Sequence, residues 1–434
     1  MACGRGGGFW HWTVRLVLFL FFAALGAAGA ANAASKKELP AACKPSDDKK
    51  AKSRQHKSKS AKPDDDDDDD DDEGIHFDLA GNCGKLTGGV SYTYQQAKKT
   101  AAGLPVIVNR NGTVSAGTIS NSVSANLGLE VTRQTSLGEF KTTAGAEWSK
   151  ATDDGTQNGS ASVSGWSVGL GGLTVGYTGT LMSFWDGSFL TTASSPGRSA
   201  STVVYEYEID DSNKVAAGIE SNLPTTPDAQ TGIKSFDFSD PVYTLRWRRE
   251  TDALTTHLSG LVRRADFSNS PLLPLFPNTA TERTGWAASF GFKLPAAFVA
   301  EDDEISFQAT YAVDASSYLG ISNDLTVYQN TVRSTGPTTG WSAVASYHHE
   351  WSDEFESNAF VSFVTVRADL LLAKPEVRTF RSAVNLYWKP VDKIKLGVEA
   401  GFVDGRFTPN GVAGYFDGAS GRAYIGTFSI SAEL

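Results

Sequence analysis

The sequence predicts an all-β protein: a transmembrane antiparallel β-barrel of sixteen strands, preceded by a disordered, charged N-terminal tail. Three observations predict this fold. Long stretches alternate between apolar and polar residues, the connections between them alternate between short and long, and aromatic residues recur near segment ends. With 20% charged and 40% hydrophobic residues, the chain is too apolar for a disordered protein and too interrupted by charge for membrane helices. The net charge of −10 argues against nucleic acid as a partner.

Residues 1–33 are interpreted as an export signal that is removed from the mature chain. Arginines precede an apolar run, and small residues then lead to Ala31-Asn32-Ala33, a typical cleavage pattern. The rival interpretation is a membrane-spanning anchor, for which the apolar run is short. Export places Cys43 and Cys83 in a compartment that oxidises thiols, which leaves two readings open: one disulfide between them, or two free thiols.

Residues 34–74 are predicted to form a disordered tether. Ten Lys or Arg stand against three acids between Ser35 and Pro63, and the ten residues from Asp64 to Glu73 are all acidic. Neither block has the apolar residues that a core needs. A sharper hypothesis is that the acidic run binds divalent cations loosely, or that the basic run contacts an anionic cell-wall polymer.

Residues 75–434 form the predicted barrel, because they divide into segments with apolar side chains at every second position. Most segments have about ten to fourteen residues, the length that a tilted strand needs to cross a bilayer. The sixteen segments are 84–94, 121–133, 138–149, 158–170, 172–183, 201–210, 213–221, 240–250, 252–264, 282–294, 302–314, 338–351, 353–367, 377–389, 391–404 and 422–434.

The connections and the aromatic residues favour a membrane barrel over a soluble β-sandwich. Connections after even-numbered segments are mostly tight and those after odd-numbered segments are long, as expected for a barrel with turns at one rim and loops at the other. Trp341 and Trp351 are ten residues apart and therefore share a face. On a tilted strand they lie roughly 23 Å apart along the membrane normal, close to the height of the apolar band. A sandwich needs neither feature.

A sixteen-stranded barrel is wide enough to hold water, so passive passage of small polar solutes and ions is the expected activity. The polar face of the segments carries charges of both signs. For each of them an ordinary solvated residue is the simpler interpretation. The predicted lining charges are Lys85, Lys141, Glu206, Glu208, Arg246, Arg248, Arg263 and Arg381.

Two stretches carry a family resemblance. The run Phe77–Val90, with Cys43 upstream, resembles the start of porins of alphaproteobacteria, especially the rhizobial type, in which two cysteines flank a short aromatic stretch before a K-x-x-G-hydrophobic strand. The run Leu181–Gly187 is similar to the entry of that family's third loop. The resemblance implies a homotrimer in the outer membrane of a Gram-negative bacterium, surrounded by outer-membrane lipid, with the third loop folded into the lumen.

The resemblance also implies a constriction formed by residues 184–200. Its candidate residues are Phe184, Trp185, Asp186 and Arg198, with Asp186 as the nearest acid; an equal rival for Asp186 is a turn residue before Gly187. Basic residues on the facing wall, Lys85, Lys141 or Arg381, would set a transverse field. Two departures stand out. About forty residues separate Cys43 from Cys83, and the chain ends in Leu434 rather than in an aromatic residue.

Enzymatic interpretations are weaker, and neither a cofactor nor a metal is expected. Gly165–Gly169 fits G-x-S-x-G but lies within an alternating strand. The adjacent His348 and His349 point to opposite faces of a strand. The pair His257 and Ser259 resembles that of outer-membrane phospholipases, but there the pair faces lipid, whereas here the apolar residues around it predict an inward orientation. A third interpretation is a barrel that serves only to anchor the charged tail.

Overall fold

The computed structural model describes residues 74–79, 82–99, 108–109, 112–113, 119–153, 156–221, 241–266, 282–296, 300, 302–321, 336–369, 374–408, 410 and 419–434. The predicted export signal, nearly all of the predicted tether and Cys43 lie outside these residues. None of the described helices is long and apolar enough to cross a membrane.

Nineteen strands and one short 3-10 helix make up the described chain. The strands are β1 Ile75–Leu79, β2 Asn82–Lys99, β3 Val108–Asn109, β4 Gly112–Thr113, β5 Ile119–Thr135, β6 Gly138–Asp153, β7 Thr156–Leu170, β8 Leu173–Gly179, β9 Ser199–Asp210, β10 Asn213–Ser221, β11 Pro241–Thr251, β12 Leu254–Asp266, β13 Glu282–Pro295, β14 Glu304–Val313, β15 Thr339–Ser352, β16 Phe355–Arg367, β17 Glu376–Val391, β18 Ile394–Thr408 and β19 Ala419–Glu433. The 3-10 helix is Ser316–Leu319.

Sixteen of these strands, β2 and β5 to β19, close into an antiparallel barrel. Each pairs with the next along the chain, and β19 pairs with residues 89–99 of β2 to complete the ring. Strand β1 pairs with residues 82–86 of β2, beyond the end of β19. The small pair β3 and β4 forms a separate hairpin. Closure leaves no unpaired sheet edge along the ring, which is the requirement for spanning a hydrocarbon layer with strands.

All sixteen predicted segments correspond to barrel strands, with ends that differ by a few residues. In the fifth segment the strand is shorter than predicted, because β8 stops at Gly179 instead of continuing to residue 183. The reason is that the chain leaves the wall there: the side chains of Thr180, Leu181 and Met182 are buried inside the barrel. The alternation of apolar and polar residues therefore located the strands but not this departure.

Burial in the barrel is inverted relative to a soluble protein. On β11, the side chains of Tyr243 and Leu245 are 57% and 61% exposed, whereas that of Thr244 between them is 5% exposed. On β17, Phe380 and Val384 are likewise exposed while Arg381 and Asn385 are buried. Because apolar side chains are stable in contact with lipid and not with water, this pattern identifies an apolar outer face and a polar inner face.

The two rims of the barrel differ in the length of their connections. Two residues join β7 to β8, β9 to β10, β11 to β12, β15 to β16 and β17 to β18 at one rim, the short-turn rim. Most connections at the opposite, long-loop rim are longer, including 180–198 between β8 and β9 and 314–338 between β14 and β15. Trp351 and Trp388 lie near the short-turn rim, and Trp341 and Phe380 nearer the long-loop rim, all on the exposed outer face. Aromatic residues thus lie near both ends of these strands on the outer face, as the sequence predicted.

Candidate functional site in the barrel interior

The strand pairing places all eight charges of the predicted lining on the inner face of the wall. Lys85 and Lys141 lie on β2 and β6, at the positions that alternate with outward-facing apolar residues. The others lie on strands further round the ring: Glu206 and Glu208 on β9, Arg246 and Arg248 on β11, Arg263 on β12 and Arg381 on β17.

Many of the inner-face charges lie in pairs of opposite sign. The Lys141 ammonium is 2.9 Å from the Glu130 carboxylate of β5. Lys214 lies 3.0 Å from Glu208, and Arg246 contacts Glu206. Paired charges largely cancel each other's field at a distance, so these side chains keep the interior hydrophilic without giving it one sign.

The segment Thr180–Arg198, called the inner loop below, leaves β8 and lies against the inner wall of distant strands. The backbone N–H of Trp185 donates to Gln308 Oε1 at 3.0 Å, and its indole N–H donates to Ser346 Oγ at 2.8 Å. The inner loop hydrogen-bonds to side chains of five successive strands: Gln308 of β14, Ser346 of β15, Ser362 of β16, Asn385 of β17 and Glu399 of β18.

Glu399 holds the middle of the inner loop. Its two carboxylate oxygens accept the backbone N–H groups of Leu190 at 2.9 Å and Thr191 at 2.6 Å. The Glu399 side chain is buried, so these donors replace the water that a carboxylate would otherwise require. This arrangement fixes two adjacent peptide groups of the loop to β18.

Glu220 of β10 holds the start of the inner loop. It is fully buried, and it accepts the Thr180 hydroxyl at 2.7 Å, the Leu181 backbone N–H at 3.1 Å and the Tyr318 hydroxyl at 3.0 Å. Burial raises the pKa of Tyr318, so its phenol stays protonated and donates to the carboxylate. The Arg198 guanidinium at the end of the loop lies 4.3 Å from the centre of the same Tyr318 ring.

Aromatic side chains pack the inner loop against the wall. The Phe189 and Phe360 rings are 4.5 Å apart edge to face, and Trp185 lies about equally near both. Phe184 stacks on His257 with ring centres 4.9 Å apart. The opposing wall residue Gly291 makes this approach possible, because a Cβ there would lie 2.4 Å from the Phe184 ring. The loop therefore has an apolar as well as a polar attachment.

A second segment also turns into the barrel. Residues 314–321 follow β14 and include the 3-10 helix, whose Tyr318 and Leu319 are fully buried beside Met182 of the inner loop. Gly320 has φ of 73°, and a Cβ at this position would lie 2.3 Å from the Ser195 backbone nitrogen. The two inward segments are therefore in direct contact.

Asp186 and Arg381 do not face each other across the lumen as the sequence analysis suggested. Asp186 is 71% exposed at the side chain and lies 2.7 Å from the Lys293 ammonium of β13. Arg381 is 5% exposed and donates to the Thr192 carbonyl at 2.9 Å, so it lies behind the inner loop. The suggestion of Arg381 as a facing-wall charge is thus wrong, because sequence parity gives the face of a side chain but not what covers it.

The inner face of β2 and β5 to β7, called the open wall below, consists mainly of small polar side chains. Hydroxyl groups pair across strands at 2.7 Å: Ser91 with Ser124, Thr143 with Ser167, and Ser149 with Ser160. Along β5 every residue is exposed or half-exposed, in contrast to the buried positions of β14 to β18. The accessible space of the interior therefore adjoins the open wall.

The candidate catalytic residues are not arranged for chemistry on lipid. His257 and Ser259 hydrogen-bond at 2.9 Å, but both are buried on the inner face, where Phe184 stacks on His257, while Leu258 faces outward. His348 bonds to Asn358 on the inner face, and His349 bonds to Asp303. Among the described residues, no group of three or more His, Cys, Asp and Glu could hold a metal ion.

Cys83 is disulfide-bonded. Its predicted partner, Cys43, lies outside the described residues, so that pairing stays a prediction. The sequence analysis also missed Glu220, Lys293 and Tyr318. Glu220 and Lys293 do occupy the polar parity of their strands, which was the available signal, but the 3-10 turn carrying Tyr318 has no periodic pattern.

Comparisons with known proteins agree on this architecture. A family model described as "Porin subfamily" matches residues 77–414. No curated protein sequence matches. The outer membrane channel DcaP of Acinetobacter baumannii is 17% identical with a TM-score of 0.61, and the alignment covers 83% of this chain and 100% of that one. This likeness shows a shared fold.

Two further solved structures are more distant. OprB of Pseudomonas putida, in a high-pH structure, is 10% identical with a TM-score of 0.46, over 80% of this chain and 94% of that one. OmpT of Vibrio cholerae, expressed in the outer membrane, is 13% identical with a TM-score of 0.46, over 82% of this chain and 100% of that one.

Proposed function

This chain belongs to the porin subfamily, and from that premise we propose that it passes small hydrophilic solutes and ions by passive diffusion through a water-filled bore that the inner loop narrows. The chain is an outer-membrane β-barrel channel. The observation that carries the finer proposal is the position of the inner loop, which is bonded to β14 through β18 while the open wall stays accessible.

The narrowest part of the bore, in this proposal, lies between the inner loop and the open wall. Ser183, Gly187 and Ser188 are among the loop residues that are not buried, and Asp186 is the only acid between residues 180 and 198. Hydroxyl groups dominate the opposite side. Such a constriction suits neutral polar solutes, which exchange hydrogen bonds with water for hydrogen bonds with Ser and Thr at small net cost.

Ion selectivity is proposed to be weak. Asp186 has Lys293 beside it, and Lys141 on the open wall has Glu130 beside it. A strong transverse field needs separated clusters of opposite sign, whereas adjacent pairs give a short-range field that salt screens. The lining charges then act mainly to keep the bore wet.

We further propose a homotrimer of the rhizobial type, surrounded by outer-membrane lipid. The support is the resemblance of Phe77–Val90 and Leu181–Gly187 to such porins, together with the match to the porin subfamily. Chemical cross-linking of the protein in native membranes tests the trimer. Cross-linked products that stop at the mass of a dimer, or a single band at the mass of a monomer, would contradict the trimer.

Planar-bilayer recording of the purified protein tests the diffusion channel. Steady open channels with a small reversal potential in a salt gradient are expected. An electrically silent insertion would support the anchor interpretation instead. Phospholipid hydrolysis that Ser259→Ala abolishes would support an enzyme, contrary to the buried position of that serine on the inner face.

A further inference from the structure

Four arginines lie on the outer face of four adjacent strands near the long-loop rim. Their side chains are more than half exposed, with 59% for Arg367, 58% for Arg378, 63% for Arg406 and 54% for Arg422. On β17 and β19, Arg378 and Arg422 share strand parity with the exposed Phe380 and Tyr424. On β16 and β18, Arg367 and Arg406 share parity with the exposed Val361 and Val398, so all four face away from the lumen. The four are called the arginine cluster below.

Two acids hold the cluster together without neutralising it. Glu376 contacts both Arg367, at 3.0 Å, and Arg378. Asp404 lies between Arg406, at 3.8 Å, and Arg422, at 3.2 Å. Four positive charges less two negative charges leave a net charge of +2 for this group.

The register places two of the positive charges directly opposite each other. Arg378 of β17 pairs with Arg406 of β18. Like charges at directly opposed positions of antiparallel strands destabilise a sheet, so this placement has a cost in the protein alone. A bound anion between the two guanidinium groups removes that cost.

The depth of the cluster is set by a row of aromatic rings on the same face. Trp341 contacts Phe363 at 4.9 Å, and Phe402 contacts Phe380 at 6.2 Å and Tyr424 at 5.3 Å between ring centres. Such rings mark the boundary of the hydrocarbon layer. The arginines are two or four residues nearer the long-loop rim, which is roughly 5 to 9 Å further out on a tilted strand. That is the depth of lipid headgroups.

We propose that the arginine cluster binds the phosphate groups of an acylated glycolipid in the outer leaflet, with the acyl chains packed on the aromatic row. Long loops face the exterior in barrels of this class, which assigns the cluster to the outer leaflet. Guanidinium groups bind phosphate through paired N–H donors, and neighbouring arginines bind one phosphate from two sides. The aromatic row beside the cluster offers an apolar surface for acyl chains. A free phosphate ion would make no use of that surface.

Binding of defined lipids to the delipidated full-length protein in detergent, followed by native mass spectrometry, tests the proposal. The probe is a bis-phosphorylated, acylated diglucosamine (lipid A), and the comparison is the same lipid with both phosphates removed. We expect the phosphorylated lipid to bind at least about tenfold more tightly, since several charge-assisted hydrogen bonds are involved. Equal binding of the two lipids would overturn the proposal, as would displacement by millimolar inorganic phosphate alone.

The double variant Arg378→Gln with Arg406→Gln brings the net charge of the cluster to zero while each acid keeps one arginine. We expect it to lose most of the preference for the phosphorylated lipid, and the Arg378→Lys, Arg406→Lys variant to retain part of it. Arg249→Gln is the matched control, because Arg249 is exposed on β11 near the short-turn rim. Unchanged channel conductance shows that each variant is folded. Full lipid preference in a conducting Gln variant would contradict the assignment.

Discussion

On the inner wall of β14 to β18 the polar side chains are buried beneath the inner loop, whereas on the open wall of β2 and β5 to β7 they adjoin free space. Both walls follow the same alternation of polar and apolar residues. Gln308, Asn385 and Glu399 on the covered side bond to loop backbone. Ser124 and Ser149 on the open side bond to hydroxyls of the neighbouring strand.

The difference lies in what happens when a partner is removed. A buried carboxylate or amide that loses its hydrogen-bond partner cannot bond to water instead, so the free energy of unfolding falls by a large amount. A hydroxyl beside a water-filled bore exchanges one partner for another at little cost. The covered wall is therefore expected to determine stability and pore size, and the open wall to determine the passage of solutes.

Removing the inner loop is expected to have the largest effect. Replacing residues 184–195 by a short Gly-Ser linker should raise the single-channel conductance by roughly twofold or more, because water then occupies the space beside β14 to β18. Conductance in a planar bilayer measures this, with heat-modifiable gel migration as the check on folding. A folded variant with unchanged conductance would show that the inner loop does not limit the bore.

Removing one hydrogen-bonded attachment of the inner loop is expected to have the next largest effect. Glu399→Ala should lower the free energy of unfolding by about 2 to 6 kcal/mol, since two buried backbone N–H groups lose their acceptor at about 1 to 3 kcal/mol each. Glu399→Gln, which keeps one acceptor oxygen, should lie between. Urea denaturation and open-channel current noise measure the effect.

The matched control for Glu399 is Glu147→Ala. Glu147 is an exposed acid on the inner face of β6 in the open wall. Its loss should change stability by no more than about 0.5 kcal/mol. Equal losses of stability in Glu399→Ala and Glu147→Ala would contradict the proposed difference between the covered wall and the open wall.

A smaller effect is expected at the contact between the two inward segments. Tyr318→Phe removes one of the three hydrogen bonds to the buried Glu220 and should cost about 1.5 to 3 kcal/mol, the range for bonds to charged groups. Tyr205→Phe, on the lipid-facing side of β9, is the control and should be nearly neutral. If both variants unfold at the same urea concentration, the second segment does not support the first.

The smallest effects concern charge. Asp186→Asn should shift the reversal potential toward anions and Lys141→Gln toward cations, because the first removes a negative charge from the bore and the second a positive one. Neither should alter stability by more than about 1 kcal/mol, and the shift for Asp186→Asn should be small because Lys293 keeps Glu304 at 3.7 Å. Arg381→Ala should instead destabilise the inner loop, since its guanidinium holds the Thr192 carbonyl. A change of ion selectivity in Arg381→Ala without loss of stability would show that Arg381 faces the pore, contrary to its position behind the inner loop.

The strands could be predicted from the sequence almost completely, and the interior only in part. Tyr243, Thr244 and Leu245 illustrate the reason: a period of two encodes the face of every residue, because only one face of each strand contacts lipid. The same signal assigns Arg381 and Lys141 to one face without distinguishing them. Arg381 is buried by the inner loop, whereas Lys141 pairs with Glu130 on the open wall.

By itself the amino-acid sequence determined the barrel, its strand number, its two unequal rims and the polar sign of its interior, since each depends on local periodicity and connection length. Only the tertiary structure decided which half of the interior is covered. That depends on contacts such as Glu399 with Thr191 and Glu220 with Tyr318, which join residues 208 and 98 positions apart. Contacts of this kind arise from the curvature of a closed sheet, which brings distant strands to opposite sides of one small volume, and no local pattern records them.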